Sequence, residues 1–257
     1  MKYSKFNTLL AAAAVAVCLT IAAPAKASTI QLGFILDSSG SITSSGWSTI
    51  VSGLATAITT EIPLPGADTY EVSVVSFSST ASTIVNHVLI DSAATRTAVA
   101  AAVASASFLN ANTNFSLAFS TMQGVLTSSP NSPALTYVNF ATDGVPNEGG
   151  GEAGGITARD AMIAAAGVDN LSIEGIGGGV NVAYLTGSIC YPLACDTVSP
   201  YNFPAQGFYI PVANAQGYAD AIGNKIQVVT GRVPEPTSMF LLGSGLLLAG
   251  RRLRKRQ

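Results

Sequence analysis

The sequence predicts an α/β fold: a doubly wound, mostly parallel central sheet flanked by helices, with one antiparallel edge strand. Three observations carry that expectation. Apolar runs of strand length recur along the chain, and stretches with apolar residues at helical spacing separate them. Two of the runs stop at an aspartate followed by turn-forming residues, at Asp37-Ser38-Ser39-Gly40-Ser41 and at Thr142-Asp143-Gly144.

Residues 30–36 form the first expected strand. Trp47, Ile50, Val51, Leu54 and Ile58 then recur at helical spacing, and Pro63 and Pro65 stop that helix. Residues 70–77 are apolar enough for a second strand, and 82–90 read as a third, antiparallel at the edge. Helices are expected over about 93–105 and 116–126, the latter turning Leu117, Phe119, Met122 and Val125 towards the sheet. The fourth strand, 135–142, ends at Asp143. The glycine-rich stretch 145–155 reads as a loop that leads into a helix over about 156–166. A fifth strand at 171–176, a last strand at 207–212 and a closing helix at 215–229 complete the pattern. Gly177-Gly178-Gly179 does not fit the G-x-G-x-x-G spacing of a dinucleotide loop. Residues 180–206 show no clear period. Their Tyr184, Tyr191, Tyr201 and Phe203 are open to two readings, a partner surface or an insertion folded onto the domain's own core.

Both ends of the 257 residues read as export signals. Lys2 and Lys5, an apolar stretch at 9–23 and then Ala25-Lys26-Ala27 predict a signal peptide over 1–27, cleaved before Ser28. At the other end, Pro234-Glu235-Pro236 precedes a short apolar segment at 237–250 and the basic run 251–256. That segment is short against the ~20 residues of a bilayer span, and a plain tail anchor is the alternative. This three-part tail, over 231–257, resembles the PEP-CTERM sorting signal of Gram-negative bacteria. The resemblance implies an exosortase-type processing enzyme as partner, acting near Pro234, Glu235 and Pro236. It also implies export to the cell surface, outer envelope or extracellular matrix, with membrane contact only through the C-terminal segment.

Between the two signals, residues 28–230 carry three basic side chains, Arg96, Arg159 and Lys225, against thirteen acidic ones. An acidic domain of this kind does not bind nucleic acid through phosphates, which needs clustered Lys and Arg. Once Cys18 leaves with the signal peptide, Cys190 and Cys195 remain. In an exported protein they are expected to form a local disulfide that shapes its loop, two free thiols being the alternative. No histidine or further cysteine accompanies them, which argues against zinc.

The oxygen-rich segments carry the functional reading. A buried strand that stops at Asp37 and turns through Ser-Ser-Gly-Ser brings one carboxylate and two hydroxyls to its tip, and oxygen-only ligands suit a hard ion such as Mg2+. Asn112-Thr113-Asn114 and Thr142-Asp143-Gly144 can deliver more oxygens to the same edge of a parallel sheet. Taken singly, each has an ordinary reading: Asp37 or Ser41 as a helix N-cap, Thr113-Asn114 as a loop-to-helix transition, Asp143-Gly144 as a turn. In this order and spacing, the D-x-S-x-S, T and T-D-G elements resemble the metal-ion-dependent adhesion site of the von Willebrand factor type A domain, with Asn112 where that family often has Gly.

The resemblance covers residues 28–230 and implies a Rossmann-like fold. It places Asp37, Ser39, Ser41, Thr113 and Asp143 around Mg2+, or Mn2+ or Ca2+ in its stead. By the same resemblance the serine hydroxyls touch the ion, the aspartates act mainly through water, and Thr113 changes with ligand state. It implies divalent-cation-dependent adhesion, with an unknown protein or surface polymer supplying an acidic group. A matrix or envelope component without a metal-dependent ligand is the first alternative. A metal-dependent hydrolase is the second, weakened because His87 is the sole histidine and no G-x-S-x-G elbow is present. Glu148 and Glu152 stand near Asp143 either as further cation ligands or as solvated loop acids.

Overall fold

The structure is a computed structural model that describes residues 28–231. The expected signal peptide and the tail beyond Gly231, with Pro234, Glu235 and Pro236, lie outside the described residues. Strand β1 (Ser28–Asp37) is followed by a single 3-10 turn (Gly40–Ile42) and helix α1 (Ser44–Glu61). Then come β2 (Asp68–Phe77), β3 (Ala81–Leu89), α2 (Ala93–Ala104), α3 (Phe115–Thr127) and β4 (Leu135–Thr142). Helix α4 (Gly151–Ala166), β5 (Asn170–Ile176), β6 (Tyr209–Val212) and α5 (Ala215–Val229) finish the domain.

The six strands lie in the order β3-β2-β1-β4-β5-β6. Only β2 and β3 pair antiparallel. The expected doubly wound sheet with one antiparallel edge is therefore the fold observed. Alternation along β1 builds both layers: Ile30, Leu32, Phe34 and Leu36 join the core under α1, α2 and α5, while Ile35 joins the core under α3 and α4. A strand buried on both faces has little polar alternation, which explains why the inner strands read as continuous apolar runs.

Close approaches set the helix positions. A Cβ on Gly33 would stand 3.2 Å from Met122 Sδ, so α3 lies directly on β1. A Cβ on Gly53 would stand 2.4 Å from Ala219 Cβ, so α1 and α5 meet backbone to backbone. Gly53→Ala should therefore destabilise the domain by about 1–3 kcal/mol of overpacking, although alanine is the better helix former. A thermal melt lower than wild type checks this; an unchanged or higher melt would show that the helices separate freely.

The glycine-rich stretch is where the expectation needs correction. Helix α4 starts at Gly151 rather than near residue 156, behind Gly150 in a left-handed conformation (φ 82). Glycine is required here by contact: a Cβ on Gly154 would fall 1.8 Å from the Gly149 carbonyl oxygen, and one on Gly155 2.5 Å from the Tyr184 hydroxyl. Of the two readings of 180–206, the fold supports packing onto the domain itself. Tyr184 stacks on Phe115, Phe203 meets Tyr137 edge-on at 4.9 Å, and Tyr201 stacks on Phe208 at 4.5 Å. Tyr191 bridges to Leu171. Cys190 and Cys195 are joined in a disulfide within this segment.

The two rims of the sheet differ. At the rim where the strands begin, Ser28 Oγ donates to Asp68 at 2.5 Å and the Tyr70 hydroxyl donates to the Thr230 carbonyl at 3.5 Å. The described residues therefore begin and end at this rim. The opposite rim holds the aspartates.

Candidate metal centre

Strand β1 is the place where the winding reverses. The chain runs from β1 through β2 to β3 on one side, then returns to β4 on the other. In open α/β sheets the crevice at such a reversal is where ligands bind. Asp37 ends β1 and Asp143 follows the last residue of β4, so both stand at that crevice.

Three loops converge there, held together by main-chain bonds. Asn110 N–H donates to the Ser38 carbonyl at 3.0 Å, Gly40 N–H to the Ala111 carbonyl at 2.8 Å, and Leu109 N–H to Ser38 Oγ at 2.9 Å. These bonds fix the loop before α3 against the loop after β1. Thr113 is in turn gripped by the loop after β4: its N–H donates to Asn147 Oδ1 at 2.9 Å, and its carbonyl accepts from Asn147 and Glu148 N–H. Beneath the loops sits an aromatic floor in which Phe115 meets Phe140 edge-on at 4.8 Å and Phe77 stacks on Phe140 at 5.7 Å.

The competing cap readings are answered by other residues. Thr43 caps α1 through Gly46 N–H, and Asn114 caps α3 through Leu117 N–H. Asp37, Ser41 and Thr113 are left for another task. Asp37, 1% exposed, accepts from Ser39 N–H at 2.9 Å and from the Thr142 hydroxyl at 2.6 Å. Ser39 and Ser41 hydroxyls stand 3.1 Å apart, and Ser41 donates to Asp143 Oδ1 at 2.7 Å. A Cβ on Gly144 would stand 3.6 Å from Thr113 Oγ1 and 4.0 Å from Ser41 Oγ, so those hydroxyls face a shared space beside Asp143. The five expected residues thus lie at one rim, four of them in a hydrogen-bonded chain and Thr113 next to it.

The electrostatics suit a divalent cation. Burial pushes the Asp37 carboxyl up to about 6, against the opposing bonds from Ser39 and Thr142. Burial also raises Asp143, with the Ser41 bond opposing. The two ion pairs among the described residues, Arg159–Asp160 and Lys225–Glu174, are made by other groups, so neither site aspartate has a cationic partner. A hard 2+ ion on these oxygens would relieve that strain. Among the described residues no group of three or more His, Cys, Asp and Glu side chains is placed to hold a metal, so any ion here relies on hydroxyls.

Thr142 is the site residue that the sequence reading left without a role. Its hydroxyl donates to Asp37 and accepts from Gly144 N–H at 3.3 Å, joining the two acidic loops. Its place in the T-D-G run was the available signal. Glu148 and Glu152 are occupied by side-chain amides instead: Asn112 Nδ2 donates to Glu148 and Asn181 Nδ2 to Glu152, both at 2.7 Å. His87 lies on edge strand β3, its N–H bonded to Ser73 Oγ at 3.1 Å.

A family model described as the von Willebrand factor type A domain matches residues 31–183, and one described as the PEP-CTERM protein-sorting motif matches 232–256. No curated protein matches the chain. Several solved structures share the fold. Proximal thread matrix protein 1 from the mussel byssus, with a zinc-occupied MIDAS motif, has a TM-score of 0.60 at 15% identity over 79% of this chain and 48% of that one. The pilus adhesin SpaC from Lactobacillus rhamnosus GG gives 0.56 at 13% over 79% and 31%. The manganese-loaded TRAP protein of Plasmodium vivax gives 0.52 at 19% over 76% and 72%. The chain thus spans about half the length of the mussel protein, and at these identities the likeness is one of fold.

Proposed function

Because the chain belongs to the von Willebrand factor type A domain family, we propose that it is an exported, divalent-cation-dependent adhesion or ligand-binding protein whose rim site takes an acidic group of a partner. The observation that carries this reading is the joining of Asp37, Ser39, Ser41 and Asp143, with Thr113 beside them, at the point where the sheet's winding reverses. In this reading those five residues hold the ion, Mg2+ first and Mn2+ or Ca2+ in its place. Bound there, the ion supplies an electrophile for an oxygen of the partner.

The protein's own groups account for the rest. Ser39, Ser41 and Thr113 offer neutral oxygens, which leave the ion's charge undiminished for the partner. Asp37 is pinned by Ser39 N–H and Thr142, and Asp143 by Ser41, so both carboxylates are held in place before any partner arrives. The domain binds and does not catalyse in this reading: the Ser41 hydroxyl and the Asp143 carboxylate it bonds serve the ion rather than a substrate. The PEP-CTERM motif marks the protein for export and sorting to the envelope of a Gram-negative bacterium, with an exosortase-type enzyme as its processing partner. The cell surface or extracellular matrix is the proposed destination.

A surface coated with polyglutamate or an acidic polysaccharide serves as the test ligand. Retention of the purified domain in Mg2+ or Mn2+ should fall about tenfold or more in EDTA and in Asp143→Ala. Retention that ignores both treatments would favour a matrix scaffold and overturn the metal-dependent reading. Metal-dependent turnover of phosphoester or peptide substrates would overturn the assignment as a binder.

A further inference from the structure

A second polar cluster lies in the core between the sheet and α5. Asn139 on β4 pairs in register with Ser172, two residues before Glu174 on β5, so Asn139 and Glu174 rise from the same face of the sheet. Lys225 comes down from α5 to meet them. Its Nζ stands 2.9 Å from Glu174 Oε1, contacts Asn139 Oδ1, and lies 5.0 Å from the centre of the Phe208 ring. Glu174 is 0% exposed, Lys225 3% and Asn139 6%. Asn139 Nδ2 is buried without a hydrogen bond of normal geometry. A cavity of about 20 Å³, enough for one water-sized molecule, has Asn139 and Lys225 in its wall.

We propose that Lys225 and Asn139 condense into an intramolecular isopeptide bond, with Glu174 as the acid–base group and ammonia as the leaving group. Folding alone brings amine and carboxamide into contact, so the reaction is unimolecular and needs no activated ester. Burial works against the charged form of each group: it lowers Lys225 and raises Glu174, the latter against the pull of Lys225 and Asn139. Passing the ammonium proton to the carboxylate yields a neutral amine and a carboxylic acid, the reactive forms of both.

The step balances without an oxidant or co-reactant. Nζ attacks Asn139 Cγ while Glu174 gives its proton to Oδ1 and receives one from Nζ. The tetrahedral centre then collapses: the proton on the oxygen returns through Glu174 to Nδ2, the Cγ–Nδ2 bond breaks, and ammonia leaves. The new amide joins β4 to α5, and Glu174 ends in the acid form in which it began. Lys225 Nζ meets both Glu174 Oε1 and Asn139 Oδ1, which puts the carboxyl on the side of the amine that faces the carboxamide.

Intact-mass spectrometry of the natively folded, exported chain tests this, with cysteines reduced and both ends assigned by peptide mapping. A deficit of about 17 Da, the mass of ammonia, is expected, and tandem spectra should place it on a branched peptide that joins β4 to α5. Glu174→Gln should restore the full mass in a chain that still unfolds cooperatively. Should that variant fail to fold, Lys225→Arg keeps the charge, lacks a comparable nucleophile, and should show the full mass as well. A wild-type chain at full mass, or a deficit that persists in Lys225→Arg, overturns the proposal, and neither result bears on the rim site.

Discussion

Compared with Lys225→Arg, which keeps the cation and cannot condense with Asn139, Lys225→Met is expected to destabilise the domain by about 3–5 kcal/mol, because it leaves the Glu174 carboxylate buried with no cationic partner. The loss should depend on pH in a definite direction. Burial holds the Glu174 carboxyl above its ordinary value even with Lys225 present, and removing the lysine takes away the strongest pull in the other direction. A carboxyl whose pKa is raised on folding favours the native state while it is protonated, below its unfolded pKa. That support is lost as the pH rises through the folded value. The deficit of Lys225→Met against Lys225→Arg should therefore be smaller near pH 4 than at pH 8. Chemical denaturation at the two pH values, with unchanged denaturant slopes, measures it. A deficit equal at both would show that Glu174 stays ionised and finds another partner or water.

The second large effect is expected at the rim, where the sign of a substitution should reverse with metal. Asp37→Asn keeps the carbonyl that accepts Ser39 N–H and offers an amide to Thr142, so it removes charge with little loss of hydrogen bonding. In EDTA the variant should be as stable as wild type or more so, since a buried carboxylate with no cation has been replaced by a neutral group. In Mn2+ at 100 times its dissociation constant, wild type should gain about 2.7 kcal/mol. For a domain of this size that amounts to a rise of roughly 5–10 °C in melting temperature. Asp37→Asn should gain almost nothing. Equal metal-induced shifts in both proteins would place the ion somewhere else and remove Asp37 from the site.

The fold was legible where burial speaks with one voice. Residues 30–36, 70–77, 135–142 and 171–176 are covered on both faces, so their apolar runs have one reading in a chain of this pattern. The meeting of Asp37, Ser39, Ser41, Thr113 and Asp143 was legible because strand ends and turn residues place short polar side chains at a rim, and the structure brings these side chains there.

What stayed hidden has physical reasons too. The start of α4 was obscured because glycine signals both a loop and a close contact, and only three dimensions tell Gly154 and Gly155 from hinge residues. Glu174 and Lys225 were hidden because a charged residue is read as solvent-facing by default. Lys225 follows Tyr218 and Ile222 on the buried stripe of α5, and that position was the one clue to its burial. Thr142 was visible as a letter in a motif, yet its hydroxyl's reach to Asp37 depends on the register of β1 against β4.

The Tyr70–Thr230 contact fixes where the chain leaves the domain. Because α5 ends beside the beginnings of the strands, the tail departs from the foot of the domain, while the aspartates crown its far side. The chain beyond Gly231 therefore sets out from the side of the domain opposite Asp37 and Asp143. A pull between a partner at the rim and the chain beyond α5 would enter at the ends of β1 and β4 and leave through α5, so it would cross the packing of that helix on the sheet.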